Sequence, residues 1–526
     1  MQTASIFPLG RGDKLERWRD RLAEGLKLVA APAERVELVY YDSFDWRLHS
    51  AGLLLQYVQS PDSRELRLLR LSDRSVEAAL PTEKPTARFA SQLPAGELRS
   101  RIEPLLGIRA FLPLAGLRGS RYCLRQEDKE GKTRVRLHLE SFSVLDGAGK
   151  RRPLQKRLRL EALRGYRKAA EGLGTKLLGN YGLAATGDEL FEQALAAVGR
   201  RPGDYSGKLA VDLQARERAD VAVRKILVSL LETIRANEAG TIADLDSEFL
   251  HDFRVAVRRT RSMLGELKRV FAPTVLARFR REFAWLGSIT GPVRDLDVYL
   301  LKFDRYKAAI PAELRDDLEP LREFLRYKQH AEQTQKLAVE LKGRRYRKLK
   351  DQWERYLTSR LAKNPAARDA ARPIGLVAHQ RTWRMYKRVL KEGRAITPES
   401  PPPELHELRK SCKKLRYLME FFLSLYPGKA MRAAIAELKQ LQDNLGDFQD
   451  IDVQIDSLKR FAMEMRRRGE YSDATAKAMD ALLAVLEAQV HTVRAEFEAH
   501  FRRFDSKDNH RSYKRLFHPD IEVAVT

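Results

Sequence analysis

Two stretches of this chain repeat one pattern in register. His251-Asp252-Phe253-Arg254 runs into Arg258, Arg259 and Arg261, and His406-Glu407-Leu408-Arg409 runs into Lys413, Lys414 and Arg416. Further on, Arg294-Asp295-Leu296-Asp297-Val298 is matched by Gln449-Asp450-Ile451-Asp452-Val453. Every member of the first copy lies 155 positions before its counterpart in the second. A spacing that stays constant through both motifs indicates two copies of one structural unit. What the copies share is mostly positive charge.

On a helix turning about 100° per residue, His251, Arg254, Arg258 and Arg261 fall within roughly an 80° arc. Phe253, Ala256, Val257, Leu264 and Leu267 fall on another side. In the second copy His406, Arg409, Lys413 and Arg416 make the same stripe, and Leu408, Cys412, Leu415, Met419 and Phe422 make the apolar face. Each helix therefore has one side for a core and one row of like charges. Like charges three and four residues apart weaken a helix by a few tenths of a kcal/mol per pair, a penalty that an anion lying along the row would offset. A solvated basic face is the ordinary explanation for one such helix. Two in matched register, each led by a histidine, point to a binding surface.

These residues resemble the CHAD family, the conserved-histidine α-helical domain, over about residues 205–505. The resemblance rests on the His-x-x-Arg-x-x-x-Arg-Arg-x-Arg helix from His251 and on Leu286-Gly287 leading to Arg294-Asp295-Leu296-Asp297. It also rests on Arg345-Tyr346 and on the second His-x-x-Arg helix running into Leu415-Arg416-Tyr417. It implies an all-α fold of two pseudo-symmetric four-helix bundles, with histidines and basic residues of both halves lining a groove for inorganic polyphosphate. The binding residues so implied are His251, Arg254, Arg258, Arg259, Arg261, Arg294, His406, Arg409, Lys413, Lys414, Arg416 and Tyr417. Lys413 and Lys414 stand where the first copy has an arginine pair, and Gln449 stands where it has Arg294. Lysine keeps the charge but not the forked, two-point geometry of a guanidinium.

Composition agrees with a polyanionic partner. Lys and Arg number 98 against 72 Asp and Glu, a formal charge of +26, which suits polyphosphate, nucleic acid or an anionic surface without choosing among them. Nucleic acid is the weaker fit, because Trp285, Trp353 and Trp383 lack the aromatic neighbours of a base-stacking groove and read as core. Cys123 and Cys412 are the two cysteines, so neither a disulfide framework nor a structural zinc site is expected. The opening residues run into Arg11, Asp13 and Lys14 without a signal-like apolar stretch, and no segment is long and apolar enough to span a membrane. The expectation is a cytoplasmic protein, at polyphosphate granules if the partner is polyphosphate, with no membrane association. Oligomeric state is left open.

The basic repeat asks for binding alone: it carries no phosphate-cradling Gly-x-x-x-x-Gly-Lys loop and no His-x-x-x-His pair. No cofactor, catalytic residue or metal site is assigned. The pairs Asp295/Asp297 and Asp450/Asp452 are read as acidic turns that orient neighbouring arginines or cap the helix they begin. The clusters Arg344-Arg345-Tyr346-Arg347-Lys348, Arg384-Tyr386-Lys387-Arg388 and Arg224-Lys225 are read as solvated faces.

The first part of the chain reads as strands: Arg35–Tyr41, Gly52–Val58, Glu65–Leu71 and Arg134–Glu140. In the last, Val135, Leu137 and Leu139 share one face and Arg134, Arg136, His138 and Glu140 the other. This suits a barrel wall with a polar interior and a one-sided open sheet equally. Tyr40-Tyr41-Asp42-Ser43-Phe44-Asp45-Trp46-Arg47-Leu48 with Ala51-Gly52-Leu53 resembles the CYTH family of triphosphate tunnels over roughly residues 35–165. Active members carry an N-terminal Glu-x-Glu-x-Lys, which is missing before Arg35. Gln56 and Tyr57 occupy positions that are usually basic, and a later Glu-x-Glu is reduced to Arg159-Leu160-Glu161. The resemblance thus implies a degenerate, inactive tunnel. The alternative, a metal-dependent triphosphatase, would be favoured by six or more inward charged residues with paired carboxylates.

The expected organisation is multidomain. A degenerate CYTH-like α+β antiparallel barrel occupies 1–170, a linker 171–204, and a mainly α CHAD domain 205–505, with repeats of about 205–360 and 361–505. A loosely ordered tail takes 506–526.

Overall fold

The computed structural model describes residues 5–10, 12–83, 85–146, 149–363 and 365–518. They form two compact units that divide between Ser206 and Gly207.

The first unit is built on strands β1 (Ser5–Pro8), β2 (Val29–Ala30), β3 (Glu34–Asp42), β4 (Leu53–Ser60), β5 (Ser63–Arg70), β6 (Val76–Pro81), β7 (Leu112–Glu127), β8 (Thr133–Leu145), β9 (Arg151–Pro153) and β10 (Arg157–Ala162). All pairings among the described residues are antiparallel. The order is β1-β10-β8-β7-β3-β4-β5-β6, with β2 beside β7 and β9 beside β8. Among the described residues β1 and β6 stand at the two ends of this pairing order.

Among the described residues this unit also holds the helices α1 (Leu15–Leu26), α2 (Arg47–Ser50), α3 (Glu97–Leu106), α4 (Arg167–Tyr181) and α5 (Leu190–Ala197). Alternation along β8 sends Val135, Leu137 and Leu139 into a core shared with α1 and α4, and Leu55, Leu66 and Leu68 of the far strands pack on α3. The residues between them in sequence face the concave side. There α5 lays Phe191 against Tyr40, ring centroids 5.1 Å apart. The Tyr40–Leu48 segment is organised by buried Asp42, whose carboxylate accepts from the backbone N–H groups of Ser43, Leu48 and His49 at 2.7–2.9 Å. Residues 171–204 are not a linker. Leu173, Leu177, Leu190 and Leu195 are buried in this unit, and Asp204 accepts from the Trp46 indole N–H at 2.9 Å.

Among the described residues the second unit is helical, so all-α describes this unit and not the whole chain. The first copy holds α6 (Ala219–Ile242), α7 (Ser247–Glu266), α8 (Pro273–Ile289), α9 (Gly291–Ala309), α10 (Glu319–Ala331), α11 (Ala338–Lys342) and α12 (Arg344–Thr358). The second holds α13 (Ile374–Arg394), α14 (Pro402–Phe421), α15 (Gly428–Arg467) and α16 (Asp473–Phe504), followed by α17 (Lys507–Phe517).

The basic stripes lie on α7 and α14. Asp246 caps α7 by accepting from the N–H groups of Glu248 and Phe249. At α14 a proline run supplies residues that start a helix without needing an N–H partner. The apolar faces are core: Phe253, Leu264, Leu267, Leu408, Cys412, Leu415, Met419 and Phe422 are fully buried. The 40-residue α15 corresponds to α8 and α9 together. The first copy breaks there because Pro292, in place of Asp447, lacks the N–H that would continue the ladder.

Two predicted features differ. The acidic segments at Asp295 and Asp450 are not turns and begin no helix; they lie inside α9 and α15. Residues 507–517, expected to be loose, form a helix whose Tyr513 stacks on Tyr386 at 4.0 Å and whose Phe517 is fully buried. Residues 519–526 of the expected tail lie outside the described residues. The cores also ignore the repeat boundary. A second core joins Tyr299 and Phe303 of α9 and Phe324 of α10 to Phe461 of α15 and Leu482 of α16.

Candidate functional site

The stripes meet. Helices α7 and α14 pack together, with Arg259 donating to Glu420 at 2.8 Å. Arg258 is close enough to depress the pKa values of Arg409 and Lys413 in the other copy. His251, Arg254, Arg258 and Arg261 are thereby joined to His406, Arg409, Lys413 and Arg416 in one band of cations.

Each stripe is held by the helix beneath it. Arg254 donates to the Gly287 carbonyl at 3.4 Å and to Thr290 Oγ1 at 3.1 Å. These acceptors sit at the α8 break, where last-turn carbonyls lack helical partners. Burial, reinforced by Arg258, Arg294 and Arg261 and opposed by Asp295, pushes Arg254 down to about 10. It stays a cation at neutral pH, so the shift measures charge without adequate compensation. The second copy has no break. There Arg409 pairs with Asp450 at 2.9 Å instead. Arg258, Arg261 and Lys413 have neither hydrogen bond nor ion pair among the described residues, and the Nε atoms of Arg254, Arg409 and Arg416 are buried without a hydrogen-bond partner. Gly287 permits the close seating of Arg261: a Cβ there would stand 2.6 Å from its guanidinium.

The two histidines differ through their partners. Arg294 donates to His251 Nδ1 at 3.0 Å, which leaves the neutral ring's proton on Nε2. His406 Nδ1 bonds instead to Gln449 Oε1, an acceptor that calls for a proton on Nδ1. Tyr417 does not line the band. It is 4% exposed and stacks on Phe421 in the core. Asp295 and Asp450 face arginines, as expected. Asp297 instead accepts from Gln329 at 3.1 Å, and burial beside Asp244 pushes its carboxyl up to about 7.

In the N-terminal unit the concave face encloses a cavity of about 760 Å³. Its wall carries Arg121, Arg136, Arg157 and Arg159 together with His138, Glu140, Glu161 and Asp188. This meets the count of inward charges that an enzyme would need, yet the acids are occupied. Glu140 receives Arg157 at 2.7 Å and Arg159 at 3.4 Å, and Glu161 receives His138 at 3.3 Å and Arg159 at 3.2 Å. Among the described residues no group of three or more His, Cys, Asp or Glu is placed to hold a metal ion. Gln56 lines the cavity, and Tyr57 faces the opposite core.

Burial alone would raise the Glu140 pKa, but the two arginines hold it at about 2, and the His138 hydrogen bond and Arg159 hold Glu161 at about 2. An acid whose folded pKa is depressed stabilises above its unfolded value, near 4.5, and loses that contribution as pH falls through the folded one. The sheet unit should therefore lose about 3 kcal/mol from Glu140 between roughly pH 4.5 and 2. Thermal unfolding followed over that range should show a shallower decline in Glu140→Gln. An equally steep one would contradict the assignment.

Residues 225–459 match the family model of the CHAD domain. The helical unit carries a CHAD domain. Among solved structures, the chain is similar to the CHAD domain of the plant Ricinus communis, with 26% identity and a TM-score of 0.47, covering 56% of this chain and 96% of that one. It is also similar to PptA from Streptomyces chartreusis, at 16% identity and a TM-score of 0.39, covering 52% and 99%. A Hippeastrum protein named as an adenylyl cyclase with a dominant triphosphatase activity matches at 17% identity and a TM-score of 0.28, covering 39% and 100%. No curated protein matches the chain. No helix among the described residues is long and apolar enough to cross a membrane.

Within the CHAD domain, two of the sequence-selected cations tie the halves together. Arg259 of α7 reaches Glu420 of α14, and Lys414 of α14 reaches Glu266 of α7 at 3.5 Å. Arg259 and Lys414 are repeat counterparts, so the contact is nearly reciprocal across the pseudo-twofold axis. Glu420 also faces Arg416 at 3.4 Å. Periodicity placed Arg259 and Lys414 off the central stripe but could not show what they touch. Reversing one charge, Arg259→Glu, should destabilise the CHAD domain by about 1 kcal/mol for a partly exposed pair, and adding Glu420→Arg should recover most of it in chemical denaturation. Equal destabilisation in the single and double variants would show that the pair does not couple the helices.

Proposed function

We propose that this protein binds inorganic polyphosphate along the band formed by α7 and α14. The observation that carries the reading is the packing of α7 on α14 with Arg258 close enough to Arg409 and Lys413 to act on their charges, because it joins two short stripes into one basic surface. A flexible chain with about one negative charge per phosphate can lie along such a surface. Arginines would contribute forked, charge-assisted hydrogen bonds, and the histidines and Lys413 single ones. The match to the CHAD family supports a polyphosphate- or triphosphate-related role. His251, Arg254, Arg258, Arg261, Arg294, His406, Arg409, Lys413 and Arg416 are the proposed contacts, with Arg259 and Lys414 acting through the helix pairing. A protein of this kind would collect at polyphosphate granules.

The discriminating experiment titrates the full chain with long-chain polyphosphate, single-stranded RNA and duplex DNA at equal phosphate concentration and physiological salt. Polyphosphate should bind at least tenfold more tightly than either nucleic acid. Equal affinities would reduce the site to a general polyanion surface.

A second reading concerns the N-terminal cavity, whose arginine-rich wall suits an anionic ligand such as a triphosphate. With Glu140 and Glu161 engaged by Arg157, Arg159 and His138, the arrangement favours binding over metal-assisted hydrolysis.

A further inference from the structure

Three of the four stripe positions keep their residue type in both copies: His251 and His406, Arg254 and Arg409, Arg261 and Arg416. The fourth changes from Arg258 to Lys413. Arg258 is exposed, whereas Lys413 is half-buried. Lys413 is flanked on its own helix by Arg409 one turn before and Arg416 one turn after, and Arg258 of α7 is near enough to act on its charge. Asp450 of α15 is the acid near it, and that carboxylate is already bonded to Arg409 at 2.9 Å. Lys413 has no hydrogen bond or ion pair of its own among the described residues. Burial first, then the three guanidiniums, push its ammonium down to about 7, with Asp450 opposing. The arginines around it cannot respond to crowding by losing a proton, because a guanidinium is permanently charged in proteins. A lysine can.

Resting on the polyphosphate reading above, we propose that Lys413 is the proton-coupled cation of the groove. It releases its proton to water while the groove is empty and takes one up when a phosphate chain settles along the stripes. The empty groove thereby sheds one of its crowded charges. The occupied groove regains it, since the polyanion favours the ammonium form. The uncharged amine of the empty state is also a nucleophile at neutral pH, which makes Lys413 the reactive lysine of this surface.

The consequences have a definite sign. Binding raises the pKa of Lys413, so affinity strengthens as pH falls from about 10 toward 7, by close to tenfold per pH unit in the steepest part. Proton uptake per site should approach one at pH 8.5 and fall well below one half at pH 6.5. Calorimetric titration with long-chain polyphosphate, in buffers of different ionisation enthalpy, counts those protons. Chain ends and the histidines can exchange protons too, so the quantity read is the difference between the native chain and Lys413→Arg. At pH 8.5 the variant should lack the uptake, and its affinity should stay flat from pH 7.5 to 9. Equal uptake in both proteins would overturn the proposal.

A second measurement does not depend on polyphosphate binding. Trace labelling of the full, ligand-free chain with acetic anhydride at pH 7.5, read by mass spectrometry, should modify Lys413 at least tenfold faster than exposed lysines such as Lys410. An ordinary rate at Lys413 would sink the uncharged amine even where polyphosphate binds. Fast labelling without polyphosphate binding would leave the amine standing and remove the ligand assigned to the groove.

Discussion

Replacing Arg254, Arg258, Arg409 and Arg416 together by alanine should weaken polyphosphate binding by about a thousandfold or more while the helical fold persists. A hydrogen bond to a charged group contributes roughly 1.5–3 kcal/mol. Four such losses would exceed this figure if they added, but neighbours in one network do not add. The fold should tolerate the change because these side chains are not core. The apolar faces of α7 and α14 are built from Phe253, Leu264, Leu408, Leu415 and their neighbours. Removing half of a crowded row of cations also relieves repulsion, which offsets the lost Arg254–Thr290 and Arg409–Asp450 contacts, so the melting temperature of the empty protein should change little. Anisotropy or calorimetry at fixed salt, with circular dichroism on the same samples, reads both effects. A folded quadruple variant that binds as tightly as the native chain would move the site off these helices.

Binding should also collapse with salt, on the order of a thousandfold between 50 and 200 mM, if six or more phosphates are contacted. Each phosphate neutralised releases condensed counterions, and that release loses its driving force as bulk salt rises. Orthophosphate and triphosphate should compete poorly with long chains, because a short anion engages one stripe and forfeits the effective concentration gained by spanning both. A log–log plot of affinity against salt, repeated for chains of increasing length, provides the test. Triphosphate competing as well per molecule as a long chain would replace the basic surface by a compact pocket. Reading the quadruple variant in the same assay adds a constraint, because its salt slope should be shallower than that of the native chain.

Much of this site was legible in one dimension. The interval of 155 residues between His251 and His406 exposes the duplication, and the helical period alone assigns Phe253 and Leu408 to the core and Arg254 and Arg409 to the stripe. The alternation Val135, Leu137, Leu139 against Arg136, His138, Glu140 likewise separates core from cavity on β8. These are local properties: a helix or strand repeats its geometry along the chain, so spacing determines which side chains share a face.

Partnership between elements is a different matter. That Arg259 answers to Glu420, and Lys414 to Glu266, depends on how α7 and α14 cross. Tyr417 carries the same one-dimensional signal as its neighbour Arg416 and yet is buried on Phe421. The strand order β1-β10-β8-β7-β3-β4-β5-β6 depends on pairings between strands far apart in sequence. Tyr513 sits in a polar segment that reads as a tail until the Tyr386 ring is placed against it. The fate of Glu140 and Glu161 follows the same rule: their number suggested chemistry, and only the positions of Arg157, Arg159 and His138 showed them to be engaged. The sequence by itself determined the duplication, the helical and strand faces and the surplus of positive charge, because each follows from local period and composition. Tertiary structure alone decided which charges are compensated, because compensation falls off within a few ångströms and those distances are set by packing between distant elements.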